Sequence, residues 1–410
     1  MKSRLEVEKN ERDTLASGNL NEILVVGGAG HIGLPLSLFL FSKSKKVTIL
    51  DISISAVSKI NSGKMPFVEQ GCDEILKQTV NSSSFQALSD LKAFEGKFWP
   101  VAIIIIGTQL IEDQQPDREG VFECLRSIIH HLSKGALLIL RSTIYPGTTN
   151  LLEEKLDKLG RSDIRVVYAP ERIAEGIALK ELQELPQIVG ANNRAASDLA
   201  KLFFMSLGNV VLETSASEAE MVKLLTNTYR FTHFAIANAL YLTVENLGFN
   251  YSRIFDLMTY QYPRLDSLPK PGYVGGPCLI KDSVQLNSFM NGESALIKFA
   301  LRANESLVDH TFTKVIAFRR DAQRFTVGVI GVGFKPDIDD FRDSPIVEVM
   351  RRLKEIDVNV FYSDPYASIE EFDKLTIEEL QEVSDVLVVG TPHSAYRSLR
   401  LTKPCISVWI

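Results

Sequence analysis

Short apolar runs alternate with amphipathic stretches over the first half of the chain. Five runs predict buried strands, because each is rich in apolar residues and bounded by polar or glycine residues: 22–26, 46–50, 101–106, 136–140 and 165–168. Helical patterns separate them, such as Leu34–Phe41, which tolerates Pro35 in its first turn, and Gly120–Leu132. Runs at 188–190 and 210–212 predict late strands. Strands that alternate with helices predict a mostly parallel, doubly wound α/β sheet.

The pattern becomes helical between Ser215 and Leu247, where apolar residues recur at helical spacing without proline and without glycine. This predicts a single helix of roughly 30 residues, about 45 Å long. A second helical stretch covers 294–320. At Thr326 the alternation restarts, with strands at 327–331, 358–362, 386–389 and 406–410 and a helix at 345–356. We therefore predict an α/β protein with two Rossmann-like, doubly wound domains joined by a long central helix and a helical middle domain. The predicted boundaries are a polar extension at 1–20 and domains at 21–214, 215–322 and 323–410.

Composition narrows the functional class. The 410 residues carry a net charge of −6, which argues against a nucleic-acid-binding surface. The four cysteines have no metal-ligand spacing, so we expect neither a structural zinc nor another metal. So few cysteines in a long chain indicate a reducing, cytoplasmic setting. The chain has no signal-peptide core and no apolar run of membrane-spanning length, so we expect no membrane partner.

A glycine-rich turn follows the first strand and opens a helix. Gly28, Gly30 and Gly33 fit the pattern GxGxxG, with His31 and Ile32 at its variable positions. In this pattern the first glycine permits the tight turn, the second lets the backbone approach a pyrophosphate, and the third allows close packing of helix on strand. Asp51 ends the second strand, where a carboxylate accepts hydrogen bonds from a ribose and repels a 2′-phosphate. The motif predicts NAD rather than NADP; a glycine turn without a dinucleotide is the alternative.

The segment Gly275–Asp282, the cysteine loop, contains a single cysteine, Cys278, preceded by Gly-Gly-Pro and followed, after two intervening residues, by Lys281-Asp282. A thiolate can capture an aldehyde and hold it for a second hydride transfer, which an NAD site alone does not explain. The other three cysteines, Cys72, Cys124 and Cys405, are interpreted as small buried hydrophobic residues, the ordinary state of a free cysteine and the alternative for Cys278 as well.

On the basis of the glycine turn, Cys278 and the last α/β unit, the chain resembles the UDP-glucose/GDP-mannose dehydrogenase family over residues 20–410. Such enzymes oxidise the C6 alcohol of a nucleotide sugar to a carboxylate with two NAD+. The motifs of the family occur in its order. They are the glycine turn, Asn61–Phe67, Arg141-Ser142-Thr143 with Pro146–Thr149, Pro170-Glu171-Arg172, Glu220 with Lys223 and Asn227, the cysteine loop, and Phe334–Asp337 with Asp340, Arg342, Ser344 and Pro345.

The resemblance implies a role for each matching residue. Cys278 is the nucleophile; Lys223 and Asn227 stabilise the alkoxide and the thiohemiacetal oxygen. Asp282 and Thr143 position or activate water, and Glu171 assists thioester hydrolysis. The remaining implied contacts are Thr108 and Thr143 with the cofactor, Arg264 with the substrate of a partner subunit in a homodimer, and Glu171, Arg172, Tyr273, Gly275, Lys335 and Arg342 with the substrate.

The chemistry supports these roles independently, since an ammonium and an amide are suitable partners for a developing oxyanion. Lys223 and Asn227 are four residues apart and share one helix face, and Asp282 follows the thiol by four residues. Simpler interpretations compete. Lys223 could be a solvated helix residue, Glu171 a surface ion pair with Arg172, and Thr143 merely the end of a strand.

Some positions depart from the family. Gln109 and Leu110 follow Thr108 where Thr-Pro is usual, Ala239 follows Asn238 where Asn-Glu is common, and the sequence stops at Trp409-Ile410. Pro170-Glu171-Arg172, Glu181 and the stretch 185–190 look like the branch acting on UDP-N-acetylhexosamines. Lys281-Asp282 beside Cys278 looks closer to the UDP-glucose loop.

We therefore expect an NAD-dependent dehydrogenase of UDP-N-acetylmannosamine or UDP-N-acetylglucosamine that feeds surface-polysaccharide synthesis. UDP-glucose or GDP-mannose is the alternative substrate. Two other hypotheses stay open. One is a two-electron hydroxyacid dehydrogenase, which leaves the last α/β unit and Cys278 unexplained. The other is an inactive relative that binds a nucleotide sugar, a hypothesis motivated by Gln109, Leu110 and Ala239.

Overall fold

The computed structural model describes residues 20–92, 96–108, 119–319 and 324–409. These residues fall into two compact units with their boundary between Leu224 and Leu225. Most of the predicted polar extension lies outside the described residues, as do Gln109, Leu110 and Ile410.

The N-terminal unit is built on an eight-stranded sheet of described strands in the order β3-β2-β1-β4-β5-β6-β7-β8. Neighbouring strands of this sheet are parallel, except that β6 and β7 pair antiparallel through Tyr168 and Gly190. The strands are β1 Glu22–Val26, β2 Lys46–Leu50, β3 Phe85–Leu88, β4 Trp99–Ile104, β5 Leu132–Leu140, β6 Arg165–Tyr168, β7 Gln187–Gly190 and β8 Val211–Thr214. The helices are α1 Gly33–Ser42, α2 Ile54–Asn61, α3 Cys72–Thr79, α4 Glu119–Ile128, α5 Thr148–Lys158, α6 Ala178–Glu184 and α7 Arg194–Ser206.

Both faces of this sheet are buried, which explains the continuous apolar runs. Ile23 and Val25 belong to one hydrophobic cluster, whereas Leu24 and Val26 belong to another. Successive strand residues point to opposite faces, so each run supplies two cores at once.

Helix α8, Ala216–Asn246, begins in the N-terminal unit and continues through the boundary. The C-terminal unit then adds α9 Tyr251–Thr259, α10 Leu279–Phe289 and α11 Ala295–Ile316. Its five-stranded parallel sheet has the order β11-β10-β9-β12-β13. The strands are β9 Thr326–Ile330, β10 Asn359–Ser363, β11 Asp373–Lys374, β12 Val386–Val389 and β13 Cys405–Ser407, with helices α12 Pro345–Glu355 and α13 Ile377–Val383.

These elements confirm the predicted α/β class, with two Rossmann-like sheets and a helical middle region. The long helix departs from its predicted bounds by one residue at each end. The helix predicted at Gly120–Leu132 ends earlier, at Ile128, because a 3₁₀ turn leads into β5, whose first residue Leu132 pairs with Trp99. Among the described helices, none combines the length and the apolar content that a membrane span requires.

Candidate active site

The glycine turn after β1 has the geometry of a dinucleotide site. Gly27 has φ +79°, and a Cβ there would lie 2.6 Å from the Ile105 carbonyl oxygen. The left-handed residue at this turn is Gly27, directly before the first glycine of the motif, since only glycine tolerates both constraints. A Cβ on Gly28 would lie 3.0 Å from the side chain of Ile49, so close packing, rather than backbone conformation, favours a glycine at position 28.

The other two glycines have the expected surroundings. A Cβ on Gly33, the first residue of α1, would clash with the Gly27 carbonyl oxygen. Gly30 is exposed, and a Cβ there would meet nothing closer than the Gly27 carbonyl oxygen at 3.7 Å. An open backbone beside the N–H groups that begin a helix fits a pyrophosphate.

Asp51 completes this site at the end of β2. One carboxylate oxygen accepts the Ala29 N–H at 2.9 Å, and the other accepts the Ser53 N–H at 2.9 Å. The side chain is only half-buried, and two carboxylate oxygens offer about four acceptor sites. Acceptor capacity for the two hydroxyls of a ribose therefore remains, and the described residues fit NAD.

The residues flanking the turn are held by neighbours in the same unit. The His31 ring stacks on Phe67, from the predicted Asn61–Phe67 motif, with centroids 4.1 Å apart. Ile32 is the N-cap residue of α1.

The Thr108 hydroxyl donates to the Thr143 carbonyl oxygen at 2.6 Å. Thr143 follows β5 by three residues, so it does not end the strand.

Glu171 is buried, with its carboxylate bound on both oxygens. The Arg141 guanidinium donates to one oxygen, and the Arg172 N–H donates to the other at 2.8 Å. The Arg172 guanidinium instead donates to the Pro186 carbonyl oxygen at 2.5 Å. The simpler interpretation of Glu171 as a surface ion pair with Arg172 is therefore wrong, because its ion pair is internal and its partner is Arg141.

Three carboxylates hold the main chain that follows β6. These carboxylates accept hydrogen bonds from five backbone N–H groups between residues 172 and 178. Glu171 accepts from Arg172 and Ile173, Glu181 from Ala174, and Glu69 from Gly176 and Ala178. The Lys223 ammonium donates to the Glu171 carbonyl oxygen at 2.7 Å. Lys223 is half-buried and is not the solvated helix residue of the simpler interpretation.

Glu220, one turn before Lys223 in α8, serves the start of α5. Its carboxylate accepts the N–H groups of Gly147 and Thr149 at 2.6 and 2.9 Å and the Thr149 hydroxyl at 2.6 Å. A buried anion at a helix N-terminus satisfies donors that the helix itself leaves open. The Pro146–Thr149 motif is thus tied to α8.

In the C-terminal unit, Cys278 is exposed and is the N-cap residue of α10. The partial positive charge of a helix N-terminus favours a thiolate. Two glycines bring the preceding chain close to the loop after β9: a Cβ on Gly275 would lie 2.5 Å from the Asp343 carbonyl oxygen, and one on Gly276 would lie 2.7 Å from the Phe334 ring. Gly276 also has φ +81°. The cysteine loop and the Phe334 motif therefore form one structure.

Asn227 and Asp282 form a buried pair. The Asn227 amide donates to one Asp282 carboxylate oxygen at 2.5 Å, and the Lys281 ammonium lies 3.2 Å from the other. Asp282 is fully buried. Two residues predicted separately, from α8 and from the cysteine loop, are thus brought together.

The other predicted substrate residues of this unit lie in three places. Tyr273 is buried, with its hydroxyl 2.6 Å from that of Thr311. Arg264 is exposed in a 3₁₀ turn, with its guanidinium 5.5 Å from the Tyr262 ring centre. Lys335 and Arg342 belong to the loop after β9, where the Arg342 guanidinium makes a two-pronged contact with Asp340. Ala239, a departure from the family, is half-buried in α8.

The remaining three cysteines were all predicted to be buried; Cys72 is buried, but Cys124 is only half-buried. Burial raises the pKa of the Cys72 and Cys124 thiols to about 12 in each case. Cys405 was predicted to be buried, but it is exposed, because β13 is an edge strand.

Sequence reasoning missed the residues that hold the site. Arg141 was noted only as part of a motif, although a charge directly after a five-residue apolar strand is a signal that it needs a buried partner. Glu181 was noted only as part of the branch pattern, and Glu69 gave no signal, because carboxylates at these positions are indistinguishable from solvated ones until the fold is known.

Three family models match the chain. The NAD binding domain of the UDP-glucose/GDP-mannose dehydrogenase family matches residues 21–207, its central domain 217–306, and its UDP binding domain 328–406. Two curated relatives are named UDP-N-acetyl-D-mannosamine dehydrogenase. The one from Pyrococcus horikoshii is 31% identical over 92% of this chain and 90% of its own length, and the one from Methanococcus aeolicus is 32% identical over 92% and 86%.

A solved structure agrees with these matches. It is described as the UDP-D-ManNAc dehydrogenase of Pyrococcus horikoshii, and it superposes with a TM-score of 0.82 at 30% identity, covering 92% of this chain and 91% of its own. The chain therefore belongs to the UDP-glucose/GDP-mannose dehydrogenase family, as an NAD-dependent nucleotide-sugar dehydrogenase.

Proposed function

We propose that this enzyme oxidises the C6 alcohol of a UDP-N-acetylhexosamine, UDP-N-acetylmannosamine or UDP-N-acetylglucosamine, to the uronate through a covalent intermediate on Cys278. The observation that carries the proposal is the position of Cys278, exposed at the start of α10, one helical turn before the buried Asp282–Asn227 pair. An aldehyde can lose a second hydride only after a nucleophile has made its carbon tetrahedral, and a thiolate does this.

The electron balance requires two oxidations. When bound, NAD+ would take up one hydride in each oxidation, so that one alcohol, two NAD+ and one water would give one carboxylate, two NADH and three protons. The chain's own groups act on the sugar. Lys223 and Asn227 stabilise the oxygen that becomes an alkoxide and then the thiohemiacetal oxyanion. The Cys278 sulfur bonds to C6 of the aldehyde and leaves when water hydrolyses the thioester.

Hydrolysis requires a base and an oriented water. Asp282 takes the proton from water, because its carboxylate is one helical turn from the thiol, and Thr143 helps to position that water. Glu171 assists through the main chain that it holds, since Arg141 and two N–H groups already occupy both of its oxygens. Gly28, Gly30, His31, Ile32, Gly33, Asp51, Thr108 and Thr143 hold the cofactor.

The preference for an N-acetylhexosamine rests on the relatives' names and on a connected group of branch residues. In this chain Arg172 contacts Pro186, Arg141 contacts both Glu171 and Gln187, and Glu181 contacts Ala174. The residues that bind the substrate are Arg172, Tyr273, Gly275, Lys335 and Arg342. The chain divides into three domains, at residues 21–214, 215–322 and 323–410. The uronate then serves surface-polysaccharide synthesis.

We further propose a homodimer through α8, in which Arg264 reaches the substrate of the partner subunit. Leu225, Tyr229, Ile236 and Leu240 are between 37% and 62% exposed, and their spacing places them on one face of the helix. An apolar stripe of this kind marks an interaction surface. Tyr229→Glu combined with Ile236→Glu should give a monomeric mass in sedimentation, whereas Leu202→Glu, at a similarly exposed position in α7, should leave the dimer intact.

The function is tested with four substrates: UDP-N-acetylmannosamine, UDP-N-acetylglucosamine, UDP-glucose and GDP-mannose. One of the two UDP-N-acetylhexosamines should be converted to its uronate. Cys278→Ala should abolish uronate formation, and Cys405→Ala, which removes the other exposed cysteine, should not.

Each alternative has its own signature. Conversion of UDP-glucose or GDP-mannose alone would reject the substrate assignment but keep the mechanism. Uronate formation by Cys278→Ala at the wild-type rate would reject the mechanism. Tight binding of a nucleotide sugar without any NADH would identify an inactive relative.

A further inference from the structure

Two buried asparagines of the C-terminal unit bind the segment that leads to Cys278. Asn238 lies in α8 and Asn304 in α11. The Gly272 N–H donates to the Asn238 side-chain oxygen and the Asn238 amide donates to the Gly272 carbonyl oxygen, both at 2.9 Å. Val274 makes the same two bonds with Asn304, at 3.2 and 3.0 Å. Each amide thus pairs with both backbone groups of one residue, as a neighbouring strand does.

The two asparagines act on one edge of the segment. In an extended chain, the backbone N–H and C=O of residues i and i+2 point to the same side, so Gly272 and Val274 present theirs together. The segment belongs to none of the described strands. The two side chains therefore substitute for a missing strand, and without them four buried backbone groups would lose their partners.

The rest of the segment is fixed by packing. A Cβ on Gly272 would clash with the Trp409 ring, which is itself anchored by its indole N–H to the Gly390 carbonyl oxygen at 2.9 Å. The Tyr273 hydroxyl contacts Thr311. Since Val274 precedes Cys278 by four residues, a shift of the segment moves the thiol.

We infer that Asn238 and Asn304 are positioning residues for Cys278, an inference that rests on the proposed role of this thiol. Neither acts on the substrate directly. They keep the segment 272–274 in place, so that Cys278 stays at the first turn of α10, where the helix N-terminus favours the thiolate. Misplacement of a reacting group by about 1 Å lowers turnover on the order of 10²-fold.

The test replaces one amide at a time by a carboxylate of the same shape. Asn238→Asp and Asn304→Asp keep one acceptor oxygen but set a second oxygen against a carbonyl oxygen. Asn209→Asp is the matched control, because Asn209 is also buried and its amide donates to a carbonyl oxygen, that of Leu182 at 2.8 Å, in the N-terminal unit. The readouts are kcat, KM for NAD+, the melting temperature and the rate at which iodoacetamide labels the Cys278 peptide.

Asn238→Asp and Asn304→Asp should lower kcat on the order of 10²-fold, leave the KM for NAD+ unchanged, and slow the labelling of Cys278. Asn209→Asp should lower the melting temperature and leave kcat and labelling unchanged. Wild-type labelling and kcat in both test variants would overturn the inference, as would an equal loss of kcat in the control. Cys278→Ala turning over at the wild-type rate would instead reject the proposed function without changing these labelling results.

If the two variants do not fold, hydrogen exchange of the wild-type protein decides. Peptides covering residues 271–276 should exchange the amides of Gly272 and Val274 as slowly as the middle of α8. Exchange at the rate of an open loop would overturn the inference.

Discussion

The protein contains the same five-strand arrangement twice, with different chemistry at its carboxyl end. The orders β3-β2-β1-β4-β5 and β11-β10-β9-β12-β13 correspond strand for strand. Each first strand is followed directly by a left-handed glycine, Gly27 or Gly331. Each second strand is followed by an aspartate that accepts an N–H from the turn: Asp51 from Ala29 at 2.9 Å, and Asp364 from Val332 at 2.7 Å.

The two aspartates differ in what else they bind. Asp51 is half-buried and keeps acceptor capacity. Asp364 is 2% exposed and also accepts from Tyr366, Ala367 and His393. The Asp337 N–H donates to Nδ1 of His393, so the proton is on Nε2 and points at Asp364. In the second sheet a histidine side chain binds Asp364, whereas the corresponding Asp51 of the first sheet keeps acceptor capacity for a ligand.

The helices differ too. Helix α1 starts at Gly33, within the glycine turn, whereas α12 starts only at Pro345, after a loop that carries Lys335 and Arg342. The first turn therefore presents the N–H groups that begin a helix, and the loop of the second sheet presents cationic side chains. One topology serves two ligands because recognition lies in the loops.

The largest expected effect concerns the two aspartates. Asp364→Asn should lower the free energy of unfolding by about 3 kcal/mol or more, because it disrupts a buried, charge-assisted network. Asp51→Asn should cost less than about 1 kcal/mol in stability. It should instead raise the KM for NAD+ by about 10-fold or more, since a hydrogen bond to a charged group contributes about 1.5–3 kcal/mol. Urea unfolding and steady-state kinetics measure the two effects.

The pH dependence sharpens this comparison. Burial alone would raise the pKa of Asp364, but the hydrogen bond from His393, with the N–H groups of Val332 and Ala367, holds it below its usual value. A carboxyl with a lowered pKa stabilises the fold above its unfolded pKa and stops doing so as the pH falls through its folded pKa. The stability gap between wild type and Asp364→Asn should close in acid. A gap that stays constant would contradict the ionised network.

A smaller effect separates two glycines of the first turn. Gly33→Ala should lower the free energy of unfolding by about 1–3 kcal/mol, because its Cβ clashes with the Gly27 carbonyl oxygen. Gly30→Ala should change stability by no more than about 0.5 kcal/mol, because the added Cβ meets no close neighbour. We expect it still to raise the KM for NAD+, because the proposed cofactor site places the Gly30 backbone beside the pyrophosphate. Equal stability losses in the two variants would contradict this assignment.

Most of the sheet architecture could be predicted from the sequence, and most of the site's supports could not. Strands β1, β2, β6 and β12 have the predicted bounds, because continuous apolar runs with polar or glycine ends specify a strand that is buried on both faces. Helix α10 could not be predicted, because the Gly-Gly-Pro before Cys278 indicates a turn rather than the start of a helix.

Partners distant in sequence explain the remaining failures. Glu171 is bound by Arg141, and Asn238 by Gly272, pairs that no local spacing indicates. An asparagine in an apolar helix looks neutral until its amide is seen to pair with a backbone. The motif residues themselves were found because a resemblance fixed their order, whereas the residues that hold them were found only in the fold.

The yield of NADH per sugar distinguishes the proposed four-electron oxidation on one enzyme from a two-electron oxidation. With excess NAD+ and a limiting amount of the accepted UDP-N-acetylhexosamine, we expect two NADH for each sugar consumed, with the uronate as the product. One NADH per sugar, with an aldehyde or ketone as the product, would contradict it.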